Sequence, residues 1–318
     1  MENKRKILMD CDPGIDDAVA LALCAAHPEA FRLLGITTTM GNVTLDKTTD
    51  NALRLAEYYG LQVPVAAGAA GPVVREPKTA SDVHGANGLG NVQFPEAKNK
   101  PVPKHAVLFL YETIMELPAG EKVTLVPTGP LTNVGLLLTL FPEVKERIEA
   151  IVLMGGSASG GNRTSTAEFN IYVDPEAASI VFSSGVPIVM CGLDATSLCG
   201  LDRETAARLS EDPRPVVQKI GQMIAFYFSC AVYRGGPIAA THDAVTFMYM
   251  LHPEIFTTEK MPVSVDCAYG ETRGMTICDR RKWAFEDRPL VTVLTGADGK
   301  RFQELLVESL ETLAERLG

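Results

Sequence analysis

Two rhythms of hydrophobic and polar positions alternate along this chain. Short apolar runs end at Gly, Pro, Asn or Asp, and stretches of helical spacing follow them. The first run, Ile7-Leu8-Met9, has the pattern of a buried strand and leads to a Pro13-Gly14 turn. Residues 18–26 then read as helix, with Asp16 and Asp17 at its start, where the helix dipole favours acids. Further strands are predicted over 32–39, 63–66, 123–126, 150–154 and 186–191. Helices are predicted over 45–59, over 105–117, and from Asp174, with Pro175 at the first position. Residues 202–249 read as mostly helical, punctuated by Pro213, Pro215 and Gly235-Gly236-Pro237. Strand-like runs at 261–266, 272–278 and 290–294 predict a small antiparallel extension, and 299–317 predicts a peripheral helix. The alternation implies an α/β fold with a mostly parallel, doubly wound, Rossmann-like sheet. No composition break marks a linker and no repeat is present, so 1–318 is expected to be a single large domain, its last third carrying the helical segment and the extension.

One segment breaks the rhythm. Residues 68–103 are rich in Gly, Pro and polar side chains and contain Asp82-Val83-His84-Gly85. A loop this long within a compact domain is usually functional, and a flap over a site would account for it.

Composition narrows the function classes. A formal net charge of -10 argues against nucleic acid or an anionic membrane as partner. No apolar run reaches transmembrane length, and the first strand is too short for a signal-peptide core. The seven cysteines include no C-x-x-C pair and sit mostly in apolar surroundings, which points to reduced thiols and a cytoplasmic location.

The chemistry is concentrated at strand ends. Asp10, Asp12, Asp16 and Asp17 put four carboxylates within eight residues, at the end of an apolar strand. Helix capping explains the last two. A hard cation with oxygen ligands would reconcile all four, at the edge where α/β folds bind ligands. The ends at 40–42, 127–128 and Asp194 share that edge. His242-Asp243 opens a predicted helix and, taken alone, reads first as an Asp243 cap beside a solvated His242. Asn162, Glu168 and Asn170 follow a glycine-rich loop, and suit either sugar hydroxyls or turns.

The stretch Asp10-Cys11-Asp12-Pro13-Gly14-Ile15-Asp16-Asp17 resembles the N-terminal signature of the inosine–uridine-preferring nucleoside hydrolases. Residues 125–133, Val152-Leu153-Met154-Gly155-Gly156 and Ala167-Glu168-Phe169-Asn170 are similar to later blocks of that family, in the same order. The resemblance implies hydrolysis of the N-glycosidic bond of ribonucleosides in nucleoside salvage, by a homodimer or homotetramer that uses Ca2+. It implies metal ligation by Asp12, Asp17, the Thr128 carbonyl and Asp243. It assigns Asp16, Asn42, Asn162, Glu168 and Asn170 to the ribose, and His84, Met154, Phe169, Tyr227 and Tyr233 to substrate contact. Asp12 would be the base and His242 the acid, its charged form favoured by nearby carboxylates. Asp10 would be a supporting acid. Two departures stand out: Ala244 follows His-Asp where proline is usual, and Ser197 follows Asp-x-Thr where His is frequent. Other readings of the same residues are a nucleoside-binding protein without turnover and an Asp-x-Asp phosphatase. The phosphatase would need Thr or Val where Gly14 stands.

Overall fold

The computed structural model describes residues 4–232, 235–285 and 288–318. Elements run β1 (Arg5–Cys11), α1 (Ile15–Ala26), β2 (Phe31–Thr38), α2 (Leu45–Tyr58), β3 (Val65–Ala67), α3 (Ser81–His84), α4 (Ala106–Met115) and β4 (Val123–Pro127). Then come α5 (Thr132–Leu140), β5 (Ile148–Met154), α6 (Phe169–Val173), α7 (Pro175–Phe182), β6 (Ile188–Cys191) and α8 (Leu193–Thr196). The remainder is β7 (Gly200–Asp202), α9 (Arg203–Ser210), α10 (Pro215–Tyr227), β8 (Ile238–Ala240), α11 (Ala244–Leu251), β9 (Phe256–Met261), β10 (Val263–Val265), β11 (Thr276–Cys278), β12 (Val291–Ala297) and α12 (Gly299–Leu317).

One eight-stranded sheet has the order β3-β2-β1-β4-β5-β6-β12-β9. Every neighbouring pair is parallel except β12 with the edge strand β9. The direction of winding reverses between β1 and β4, the crevice where a doubly wound sheet binds its ligand. Successive side chains of β1 point to opposite faces. Ile7, Met9 and Cys11 enter one core, with α1, α10, α11 and α12, and Leu8 enters the other, with α4, α5 and α7. All residues of α1 are buried because helices cover it on the side away from the sheet. An amphipathic pattern is therefore absent from it, as expected for a helix buried all round.

The C-terminal third differs from the expectation. The run at 290–294 belongs to β12, which joins the main sheet parallel to β6. Among the described residues, β10 with β11, and separately β7 with β8, form small antiparallel pairs. Apolar runs carry no strand partner in their pattern, so β12 could not be assigned to a sheet from sequence. The pattern gives no strand signal at β9, because its interior positions are exposed, as suits an edge strand. The last helix is less peripheral than its charge implies: Phe302, Leu306 and Leu310 are fully packed in the core.

Candidate active site

The sheet register assembles the site. Asp10 lies opposite Thr37 of β2 and Pro127 of β4, at the carboxyl ends of all three strands. Its Oδ1 accepts from Thr37 Oγ1 at 2.6 Å and from Asn133 Nδ2 at 2.8 Å. Asn133 in turn accepts from Ala69 N at 2.9 Å, so Asp10 ties the crevice to the start of the long loop. Burial lifts the Asp10 carboxyl to about 7.

The β1–α1 turn buries the other three acids. Asp17 Oδ2 accepts from Gly14 N (2.9 Å) and Asn42 Nδ2 (3.2 Å), and Oδ1 accepts from Thr128 Oγ1 (2.7 Å). Asp12 Oδ2 accepts from Asn42 N at 2.6 Å. Its Oδ1 is buried and has no hydrogen-bond partner among the described residues. Two glycines make room for this carboxylate. A Cβ on Gly41 would lie 2.0 Å from Asp12 Oδ2, and one on Gly129 would lie 2.5 Å from Oδ1. Asp243 precedes α11, and its carboxylate comes together with those of Asp16 and Asp17, one oxygen from each within 4.8 Å of the others. This trio includes Asp16, assigned above to the ribose, while Asp12 stands beside it. Burial, and then the charge of Asp17, raises the carboxyls of Asp12 and Asp16, the latter to about 7. Burial raises Asp243 strongly, and the charges of Asp16 and Asp17 add to it.

Such a group fits a divalent cation on its own chemistry. Four buried carboxylates, three from the β1–α1 turn and that of Asp243 from the start of α11, with Asp12 Oδ1 lacking any donor, match the oxygen-rich shell of a hard ion.

An open cavity lies over the cluster. Asp16, Asn42, His84, Thr128, Met154, Asn162, Glu168, Phe169, Asn170, Tyr227, His242 and Asp243 all line it. Asp12 and Asp17 form the layer beneath, fully shielded from solvent. Tyr233 lies outside the described residues. Ala80, Arg163 and Val232 also line the cavity, and nothing in their local sequence marks them.

Several polar residues are partly committed to structure. Glu168 caps α6: its carboxylate accepts from Asn170 N (3.0 Å), Gly156 N (3.0 Å) and Ile171 N (3.3 Å). Burial nevertheless lifts it to about 7. Asn170 Nδ2 donates to the carbonyls of Thr128 (2.7 Å) and Met154 (3.1 Å), which leaves Oδ1 as its acceptor toward the cavity. Asn162 Oδ1 accepts from Phe169 N at 2.9 Å, and its amide nitrogen remains to donate.

The short helix α3 brings His84 from the long loop to the cavity, which Asp82 and Val83 of the same helix also line. Ile15 N donates to His84 Nδ1 at 3.2 Å, so that nitrogen carries a lone pair. Burial, with His242 nearby, holds His84 down at about 3; the ring is therefore neutral with its proton on Nε2. Tyr227 Oη donates to Asp16 Oδ1 at 3.1 Å and packs edge-on against His84. His242 contradicts one expectation. Burial outweighs the surrounding carboxylates and pushes it down to about 4, so the charged form is disfavoured at neutral pH.

Known proteins resemble this chain in sequence and in fold. The sequence matches the inosine-uridine preferring nucleoside hydrolase family over residues 7–304. It is 44% identical over 313 residues to the pyrimidine-specific ribonucleoside hydrolase RihA of Photobacterium profundum, covering 96% of this chain and 98% of that protein. It is 43% identical to the pyrimidine-specific ribonucleoside hydrolase RihA of a Shewanella species, covering 96% of each. The fold superposes on a purine-preferring ribonucleoside hydrolase from Gardnerella vaginalis with a TM-score of 0.89 and 31% identity, covering 98% of this chain and 100% of that one. A plant nucleoside hydrolase, PpNRh1, gives 0.88 at 30% identity, covering 96% and 98%. With a family match spanning both the acidic turn and the cavity above it, the chain belongs to the inosine–uridine-preferring nucleoside hydrolases and is a ribonucleoside hydrolase.

Proposed function

We propose that this enzyme is a calcium-dependent ribonucleoside hydrolase that prefers pyrimidine nucleosides such as uridine. The observation that carries the metal is the buried trio Asp16, Asp17 and Asp243 beside the donor-free Oδ1 of Asp12. The names of the curated relatives, at 43% to 44% identity, support the pyrimidine preference.

Asp12, Asp17, Asp243 and the Thr128 carbonyl would hold the ion, with Asp16 close enough to join. When bound, calcium would orient the ribose hydroxyls and make a coordinated water easier to deprotonate, though less strongly than zinc would. Asp12 takes the proton of the attacking water, and its Oδ2 contact with Asn42 keeps the carboxylate from turning away. Positive charge grows on the ribose as the C–N bond breaks, and the buried carboxylates stabilise it. Asn162 donates and Asn170 accepts, which suits them to ribose hydroxyls. His84 offers Nε2–H to the base. His242 is the proton donor to the departing base; a depressed pKa makes its protonated form a minor fraction but a stronger acid. The loop bearing His84 would keep bulk water out. Seven free cysteines support a reducing compartment, and release of free base and ribose in the cytoplasm suits nucleoside salvage.

A panel of uridine, cytidine and inosine, followed by free-base release, tests the reading. The expected order of kcat/KM puts uridine and cytidine above inosine. Tight binding of nucleoside without base release would indicate a binding protein, and phosphate release from a phosphomonoester a phosphatase.

A further inference from the structure

His242 reaches the cavity from the segment between β8 and α11. A second element also holds its ring. Nδ1 lies 2.8 Å from Oγ1 of Thr196, the last residue of α8, 46 positions earlier. Thr196 is fully buried.

This contact is built from both sides. α8 is fixed from below, where Leu193 N donates to Gly156 O at 3.0 Å. It is fixed again by Asp194, which accepts from Ala158 N at 2.7 Å and Ser157 Oγ at 3.1 Å. Just beyond α8, β7 pairs with β8: Gly200 lies opposite Ala240, and Thr241 N donates to Cys199 O at 3.0 Å. The chain is therefore clamped between Thr196 and His242, and the spacing of hydroxyl and ring follows from backbone pairing.

The geometry points to Thr196 as a positioning residue for His242: its buried hydroxyl fixes the imidazole with the Nε2 edge toward the departing base. This inference rests on the proposed role of His242 as proton donor. In that step the Nε2–H bond breaks and the proton joins the base. The electron pair of the C–N bond stays with the base, and the ring is left neutral with its hydrogen on Nδ1. A hydroxyl suits every stage. It accepts from Nδ1–H before and after the transfer, and donates to Nδ1 if the neutral ring carries its proton on Nε2. A methyl at that place would remove this hydrogen bond from Nδ1.

Thr196→Val keeps the branched shape and removes the hydroxyl. Loss of one buried hydrogen bond to the reacting group predicts that kcat on uridine falls about 10- to 100-fold, with KM changed less than about 3-fold. Thr196→Ser should restore most of kcat. Cleavage of p-nitrophenyl riboside, whose leaving group needs no proton, should be largely spared. In a His242→Ala background, Thr196→Val should cause no further loss, because a residue acting through another is not additive with it. Unchanged kcat on uridine in Thr196→Val, equal losses on both substrates, or full additivity with His242→Ala would each overturn the inference. Should Thr196→Val lack a cooperative melt, Thr196→Ala against Thr196→Ser makes the same comparison. If His242→Ala alone leaves uridine cleavage intact, the proton-donor reading fails first and this inference with it. If His242→Ala is damaging and Thr196→Val is silent, only the role of Thr196 falls.

Discussion

Replacing Asp17 by Asn should separate the cation's contribution from that of the fold. The wild-type carboxylate accepts three hydrogen bonds, from Gly14 N, Asn42 Nδ2 and Thr128 Oγ1. An asparagine can keep the first two by placing its oxygen at the Oδ2 position. Its amide then faces Thr128 Oγ1, whose hydroxyl can turn and accept instead. The substitution also removes a charge that raises the carboxyls of Asp12 and Asp16. Relief of repulsion offsets the weaker hydrogen bonds, so the metal-free protein should melt close to wild type. The calcium-loaded protein should not. If losing the charged ligand weakens calcium about 100-fold, the stabilisation at a fixed excess of ion drops by about 2.7 kcal/mol. For a chain of this length that is a loss of about 4 °C from the calcium-induced rise in Tm. The assay is a thermal melt after chelation, repeated across a calcium titration, for both proteins. A mutant with the wild-type calcium-induced rise would refute the assignment of Asp17. A mutant that loses several degrees equally with and without calcium would show that Asp17 is a structural acid only.

Asp12→Asn should lower kcat on uridine by at least ~10²-fold while ribose binding changes less, measured by steady-state kinetics and product inhibition. Gly129→Ala should place a methyl 2.5 Å from Asp12 Oδ1 and lower calcium affinity together with kcat, measured by calcium titration of both readouts. Stability should also depend on pH in a defined direction. Asp10, Asp16 and Glu168 are raised to about 7, above the ordinary carboxyl values of 3.8 to 4.5, so the folded state holds more protons between these limits. The contribution of these three groups to the stability of the chelated protein is therefore fully present below the ordinary value and is lost as pH rises toward 7. Calcium competes with the protons on Asp12, Asp16 and Asp243, carboxyls that burial also raises, so the gap between calcium-loaded and chelated Tm should widen as pH rises toward 7; a constant gap would contradict it.

The fold and much of the site are legible where short-range pattern decides them. The Asp10–Asp17 turn can be read because strand, turn, helix and acids are contiguous. The same holds for Asp174, which caps α7 as its Pro175 neighbour suggests. What the sequence hides depends on distant contacts. β12 enters the main sheet because β6 and β9 flank it, and neither partner is written in its own apolar run. Tyr227 reaches Asp16 across 211 positions, a contact that no spacing rule reveals. The neutral state of His242 follows from burial, which outweighs the carboxylates whose proximity the sequence does suggest. In the sequence both ends of the Asn170 amide are open to a sugar, but the carbonyls of Thr128 and Met154 occupy the donor end.

The proposed cation among Asp12, Asp16, Asp17 and Asp243 would make this cavity catalytic. The most direct test is base release from uridine by chelated protein during a calcium titration, with protein well above the expected Kd. Uracil release should be negligible without metal and should rise linearly until it saturates at one calcium per chain. Full activity in the chelated protein, or no activity at any calcium level, would contradict it.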